Sequence, residues 1–321
     1  MQVLPSLSTA RWSRLCSLIA LSFALVMSGC SSSSSKSDEP KLTTEANLYQ
    51  QIERQLKNSQ WETAIRNLQR MEEHFPFGTY AEQAQLELIY AYYQSNQADA
   101  AIATANRFIR LHPQHRNVDY AYYMLGMAAY AKDRSMFNRV LPVDITQRDP
   151  GSARDSLANF TQLLNRFPNS PYASDAKRRM LFLRNTLARY EIHAANYYFQ
   201  RGAYVAAIGR GRFVLENFSQ TPAAPDALAT IIQGYRLMGM KERAGEYQQV
   251  LATNYPNYPA IQKDGQWDDN YMWDNGRTKL LPWLTLGLFS KRELTGFDTR
   301  ELYDNTYRNA PPRFAQAERL Q

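Results

Sequence analysis

Cysteine is almost absent from this chain. Only Cys16 and Cys30 occur, which excludes a disulfide framework and a cysteine-built metal site, so the body must be held by packing. Glycine is scarce, 14 in 321 residues, and none of it forms a phosphate-cradling loop. No Gly-x-Ser-x-Gly elbow and no His-Glu-x-x-His pair occurs either. There are four histidines, His74, His112, His115 and His193. Only His112 and His115 are close, and Pro113 between them places them in a turn rather than on one helix face, which reads as a solvated loop and not as a metal site. Asp268, Asp269 and Asp274 form a small acidic cluster without EF-hand spacing. No apolar run reaches the roughly 20 residues that a membrane-spanning helix needs. No catalytic pair, cofactor site or metal site is visible, and the expectation is a binding protein rather than an enzyme.

What is present begins at the N-terminus. Arg11 and Arg14 precede an apolar stretch from Leu15 to Met27, and no acidic residue comes before Cys30. That stretch is too short to span a bilayer comfortably and suits a signal-peptide core. It closes in Met27-Ser28-Gly29-Cys30, which resembles a bacterial lipobox, with Met27 where leucine is usual. The expectation is a signal peptide over 1–29 and a diacylglyceryl group on the Cys30 thiol. At ~0.8 kcal/mol per buried methylene, several acyl chains make such an anchor effectively permanent. An ordinary secretory signal with an incidental cysteine is the alternative. Residues 30–42, with a run of serines from Ser31 to Ser35, read as a flexible tether. By resemblance to lipoprotein sorting in Gram-negative bacteria, Ser31 in place of aspartate implies the periplasmic face of the outer membrane.

The formal charge of +7 falls to +5 once Arg11 and Arg14 are removed with the signal. A basic balance often means nucleic acid. Export argues against that partner and leaves acidic protein surfaces or lipid phosphates. The 21 tyrosines and 14 phenylalanines are many for this length, and tyrosine, rigid and amphipathic, suits surfaces that bind peptides.

Apolar residues recur at helical spacing. Leu48, Ile52 and Leu56 step by four, and Met180, Leu183, Leu187, Tyr190, Ala194 and Tyr197 alternate steps of three and four. Helical stretches end repeatedly at proline: Pro76, Pro113, Pro168, Pro222 and Pro256, at intervals of 37, 55, 54 and 34 residues. The second interval contains a polar stretch from Lys132 to Pro150, and the third a long helix over about 172–200. The underlying period of 34 to 37 suits tetratricopeptide repeats. Counting back from Pro113 and Pro76 assigns the interior to Leu88, Ile89, Tyr92, Ala101, Ala105 and Phe108, and to Leu48, Ile52, Ala64, Leu68 and Met71. The predicted fold is all-α, a tetratricopeptide-like α-solenoid of about five helix pairs over 43–256: 43–76, 79–113, 118–168, 171–219 and 223–256. Residues 257–321 form a tail whose apolar stretch, Leu280 to Phe289, packs back on the last repeat by default.

Two surfaces stand out. Between residues 171 and 220 eight cations face three carboxylates, a net of +5. This is either a solvated helix face or a dock for an acidic partner, with Arg189, Arg210 and Arg212 the candidate partner-binding residues. The first helix of each pair lines the inner surface in this repeat type. Spacing places Tyr49, Tyr90, Tyr93, Tyr120, Tyr123 and Tyr130 there, as a groove for an extended peptide or as packing between repeats.

Particular strings are more specific than the period. Phe75-Pro-Phe-Gly-Thr-Tyr80, Gln85-Leu-Glu-Leu-Ile-Tyr-Ala-Tyr-Tyr93, Arg107-Phe-Ile-Arg-Leu-His-Pro113, Arg148-Asp-Pro150, Arg166-Phe-Pro-Asn-Ser170 and Arg201-Gly-Ala-Tyr-Val205 resemble the BamD family, lipoproteins of the outer-membrane β-barrel assembly machinery. Arg116 departs from it, standing where the family commonly has proline. The resemblance implies binding to the periplasmic domain of the insertase BamA, and contact with BamC and other assembly-machinery lipoproteins. It also implies receipt of unfolded outer-membrane proteins, whose aromatic-ended terminal strand is the candidate groove ligand. A periplasmic repeat lipoprotein organising peptidoglycan or secretion machinery is the competing reading.

Overall fold

A computed structural model describes residues 44–132, 144–147, 149–274 and 296–304. The expected signal peptide over 1–29, Cys30, the expected tether over 30–42 and the apolar stretch at 280–289 lie outside the described residues. The body is a series of helices without strands among the described residues: α1 (Glu45–Lys57), α2 (Trp61–His74), α3 (Ala81–Gln94), α4 (Ala98–Leu111), α5 (Val118–Ala131), α6 (Gly151–Arg166), α7 (Ala173–Gln200), α8 (Tyr204–Phe218), α9 (Ala224–Leu237) and α10 (Lys241–Asn254), then two single turns, α11 (Tyr271–Asp274) and α12 (Arg300–Tyr303). Consecutive helices pack on one another throughout, giving five antiparallel pairs in the order that the proline stops predict.

The stops work through a shared turn. At Phe75, His112, Phe167 and Tyr255, each preceding a proline, the backbone leaves the helix at φ between −127° and −135°, as the proline ring forces on its neighbour. The carbonyl of that residue then accepts the N–H three residues on: Gly78, His115, Ser170 and Tyr258. The turns inside the first, second, fourth and fifth pairs are alike too. Ser59, Asn96, Gly202 and Gly239 adopt left-handed φ of 56° to 78°. The next N–H returns to the helix, Gln60 to Gln55 O, Gln97 to Tyr92 O, Ala203 to Tyr198 O and Met240 to Tyr235 O, which closes the last helical turn and satisfies carbonyls otherwise orphaned. Only glycine adopts that backbone without a Cβ penalty, so the third and fourth of these sites use the residue best suited to it.

The interior matches the alanine and large-residue pattern. Leu48, Ile52, Ala64, Leu68, Met71, Leu88, Ile89, Ala101, Ala105 and Phe108 are all buried, each large one worth about 1.5–3 kcal/mol over exposure. Tyr92 is the exception, half-buried with its hydroxyl accepting from Gln69 Nε2 at 2.8 Å. Helix α7 joins two cores. Its first half gives Ala176, Leu183 and Leu187 to the core shared with α3–α6, and its second half gives Ala195 and Phe199 to the core of the last two pairs.

The last core is completed by residues beyond the repeats. Tyr258, Trp267, Met272 and Phe297 are buried in it, so the end of the array is covered rather than left as an open apolar face. Trp267 Nε1 donates to Gln233 Oε1 at 2.7 Å. Residues 296–304 lie as a strap on α7 and α9. Asn196 makes a reciprocal pair of 3.0 Å bonds with the backbone of Phe297. Asp226, fully buried on α9, accepts from Thr299 N at 2.9 Å, Thr299 Oγ1 at 2.8 Å, Tyr258 Oη at 2.9 Å and Arg189 Nη1.

Candidate functional site

The six tyrosines predicted for the inner face all come from first helices of pairs, α1, α3 and α5, and each is half-buried with one side on the core. Tyr49 stacks on Tyr80 with centroids 4.3 Å apart, and its hydroxyl donates to Glu87 Oε1 at 2.7 Å. Tyr90 meets Trp61 edge-on at 5.7 Å, and its hydroxyl accepts from Gln94 at 2.8 Å. Tyr120 and Tyr123 both rest on Tyr172, at 5.5 and 4.9 Å. Tyr130 meets Phe182 edge-on at 6.1 Å, while Tyr93 packs on the same core. The rings thus fall in separate clusters on the first helices of three successive repeats, the last of them against Tyr172 and Phe182.

The row carries charge at both ends. Burial pushes the Glu87 carboxyl up, against the hydrogen bonds that it accepts from Tyr49 and Gln83. Tyr123 donates to Asp175 Oδ2 at 2.7 Å, and burial with that bond pushes its phenol up to about 12. Asp175 is held below the usual carboxylate range: its burial is outweighed by Tyr123, Arg179 and Arg178. Arg179 is mostly buried against Asp175, whereas Arg178 is exposed. The arrangement offers flat apolar rings, hydroxyls at their rims, an acidic group near the first repeats and an exposed cation at the other end.

The basic cluster is organised differently from its sequence reading. Arg189 is 3% exposed and belongs to the Asp226 network, so its place is inside the fold and not on a docking face. Arg210 is half-buried, donates to Glu191 Oε2 at 2.8 Å and lies over the Tyr198 ring. Arg212 is exposed but bonded to the Tyr235 hydroxyl. Glu191 itself is buried and also takes Arg154 at 3.2 Å, which ties α6 and α8 to α7.

A surface that the sequence reading missed lies at the turns inside the fourth and fifth pairs. Tyr197, Val205, Leu237, Met238 and Met240 are exposed there, Val205 at 69%. A hollow of about 550 Å³ lies between Gly202–Ala206 and Met238. Arg201 lies over the Tyr197 ring at 5.2 Å. The available signal was apolar residues beside left-handed glycines, where turn residues are normally polar.

The histidine pair also differs from expectation. His112 and His115 are half-buried against Phe108 and both turn to Glu82, at 3.0 and 3.5 Å. Glu82 lies 30 residues upstream of His112, which hid the contact. Among the described residues no group of three His, Cys, Asp or Glu is arranged to hold a metal ion. Of the acidic trio, Asp269 pairs with Arg236 and Asp268 accepts the N–H of Asn270. The side chain of Asp274 lies outside the described residues.

His193 is half-buried, and both its ring nitrogens are buried without a hydrogen-bond partner. Asp144 approaches at 3.9 Å, and Asp298, Arg300 and Arg189 surround it. Burial holds its pKa below the usual imidazole value of 6.5, with Arg300 and Arg189 working in the same direction and Asp298 and Asp144 against. The folded state therefore binds fewer protons than the unfolded one. His193 costs nothing above that unfolded value, and stability falls as pH drops through it toward the lowered one. Asp144 and Asp298, both lowered despite burial, act only at lower pH. Urea midpoints at pH 7 and pH 5 check this: the wild type loses stability between them, and His193→Phe loses less.

Antiparallel helix pairs stacked in series, with aromatic residues on the first helices of three of them, define a tetratricopeptide-like solenoid. The chain belongs to the YfiO family of outer membrane lipoproteins, whose model matches residues 42–251. Outer membrane protein assembly factor BamD of Neisseria meningitidis Z2491 is 34% identical over 259 residues, covering 80% of this chain and 97% of that protein. The protein of the same name from Vibrio cholerae is 36% identical over 244 residues, 76% of this chain and 99% of that one. The one from Xylella fastidiosa Temecula1 is 35% identical over 244 residues, 76% and 83%.

Proposed function

We propose that the chain is an outer-membrane protein assembly factor that works as a scaffold without catalysis. It is anchored at the periplasmic face of the outer membrane by an acylated Cys30. It holds the C-terminal strand of an unfolded barrel protein along Tyr49, Tyr90, Tyr93, Tyr120, Tyr123 and Tyr130, and passes it to BamA. The observation that carries this reading is the set of aromatic clusters on the first helices of three successive repeats, with the exposed Arg178 beside Asp175 suited to a terminal carboxylate. Stacked rings with polar rims suit a peptide bearing aromatic side chains. BamC and other assembly-machinery lipoproteins are the further partners.

The dock for the BamA periplasmic domain is the apolar edge of the fourth and fifth pairs, with Arg201 and the exposed Arg212 as its cations. An exposed apolar cluster with a charged rim is the anatomy of a protein interface. Val205→Asp with Met238→Asp places two charges on side chains that already face solvent. The double variant keeps the wild-type dichroism spectrum and binds the membrane-proximal periplasmic domain of BamA at least about tenfold more weakly, a loss of ~1.4 kcal/mol. Titration calorimetry reads this directly, and equal affinity would move the dock elsewhere.

A further inference from the structure

The turns between repeats are built alike, so one position can be compared across them. The residue after each proline is Phe77, Gln114, Asn169, Ala223 or Asn257. Gln114, Asn169 and Asn257 are polar and exposed, and Ala223 is buried. Phe77 is 99% exposed. The turn does not need a phenyl ring, because glutamine and asparagine serve in the same geometry, and the ring buries nothing. One repeat along the same edge, Leu111 is 61% exposed as the last residue of α4. Helices α2, α6 and α10 end there in His74, Arg166 and Asn254. Arg110 and Arg116 are exposed beside Leu111. The first two turns thus carry an apolar pair, flanked by cations, that their equivalents lack.

This edge is also where the chain enters the fold. Glu45, the first residue of α1, accepts the Tyr80 N–H at 2.7 Å, so α1 begins against the turn that bears Phe77. Residues 31–44 separate Cys30 from that point. Fourteen residues reach at most about 50 Å even when fully extended.

We propose that this edge of the first two repeats is a lipid-contact surface. Phe77 and Leu111 enter the interfacial zone of the bilayer that holds the anchor, with Arg110 and Arg116 at lipid phosphates. The inference rests on the Cys30 anchor. A contact of two apolar side chains is too weak to recruit a free protein. A short tether makes the contact intramolecular, at an effective concentration where weak binding is populated. Cations add attraction to anionic headgroups that falls off within a Debye length. Contact would fix which edge of the array faces the membrane and would leave the turns inside the fourth and fifth pairs, at the opposite edge, to a partner.

The acylated chain has no free thiol, so Thr79→Cys offers one site for an environment-sensitive dye next to Phe77. The full acylated chain is reconstituted on vesicles of phosphatidylethanolamine and phosphatidylglycerol, floated, and compared with the same chain labelled through Asn58→Cys at the opposite edge. The inference expects blue-shifted emission from the first label and none from the second. It expects that shift to be lost with Phe77→Ser and Leu111→Ser, whose exposed positions leave the dichroism spectrum unchanged. Co-flotation with equal emission from both labels overturns the lipid contact and leaves the anchor standing. A shift that survives the double serine variant also overturns it. So does one that appears only on adding a C-terminal barrel peptide, which would make the edge a peptide surface. Failure to float removes the anchor and the inference with it.

Discussion

Asp226→Ala lowers the melting temperature by on the order of 10 °C and frees the C-terminal strap to proteolysis. The carboxylate accepts four hydrogen bonds, from Arg189, Tyr258 and both the backbone and hydroxyl of Thr299. Removing it leaves the Arg189 guanidinium nearly fully buried, with Asp298 at 3.4 Å as its remaining carboxylate. Breaking a buried pair by deleting one partner costs about 3–5 kcal/mol, and each kcal/mol is worth about 2–4 °C in a chain of this size. Thermal melting followed by dichroism gives the first number, and limited proteolysis with mass spectrometry locates the cut. Cleavage first at residues 296–304, with the helix pairs intact, is the expected pattern. A variant that melts with the wild type would mean that the strap and α7 do not depend on Asp226.

Tyr90→Ala with Tyr123→Ala weakens binding of a C-terminal barrel peptide at least about 100-fold, as expected when two aromatic anchors of a peptide site are truncated. Both rings are half-buried, so truncation also costs stability, on the order of 2 kcal/mol each. The double variant should therefore melt earlier while keeping its helical content at 25 °C. Fluorescence anisotropy of a labelled peptide gives the affinity, and dichroism at the same temperature is the folding control. Tyr123→Phe separates ring from hydroxyl: it frees Asp175 from one donor and leaves the stack on Tyr172 in place, so its peptide affinity stays nearer the wild type. Equal affinity for the double alanine variant and wild type would assign the row to packing alone.

Much of the fold was legible because its signals are local. A proline acts on the residue before it and on the helix behind it, so Pro76, Pro113, Pro168 and Pro256 marked helix ends correctly to within two residues. Alanine spacing found the buried faces of α2 and α4. Tyr92 misled because its apolar ring sits at an interior period while its hydroxyl reaches outward to Gln69. The site was less legible because its decisive partners are distant in sequence. Arg189 and Arg201 look alike as charges. Asp226, 37 residues away, draws the first inside, and the second stays exposed over Tyr197. Apolar periodicity cannot separate Val205, which faces solvent, from Val214, which is buried. The cover over the last repeat depends on Trp267 meeting both Tyr258 and Phe297, contacts that no repeat period encodes.

Depletion of the chain from growing cells, followed by quantification of folded, heat-modifiable β-barrel proteins in the outer membrane, tests the assembly role most directly. The account predicts that many unrelated barrel proteins fall together while lipoproteins that lack a barrel keep their levels. Barrel proteins at unchanged levels, with altered peptidoglycan or secretion instead, would contradict it.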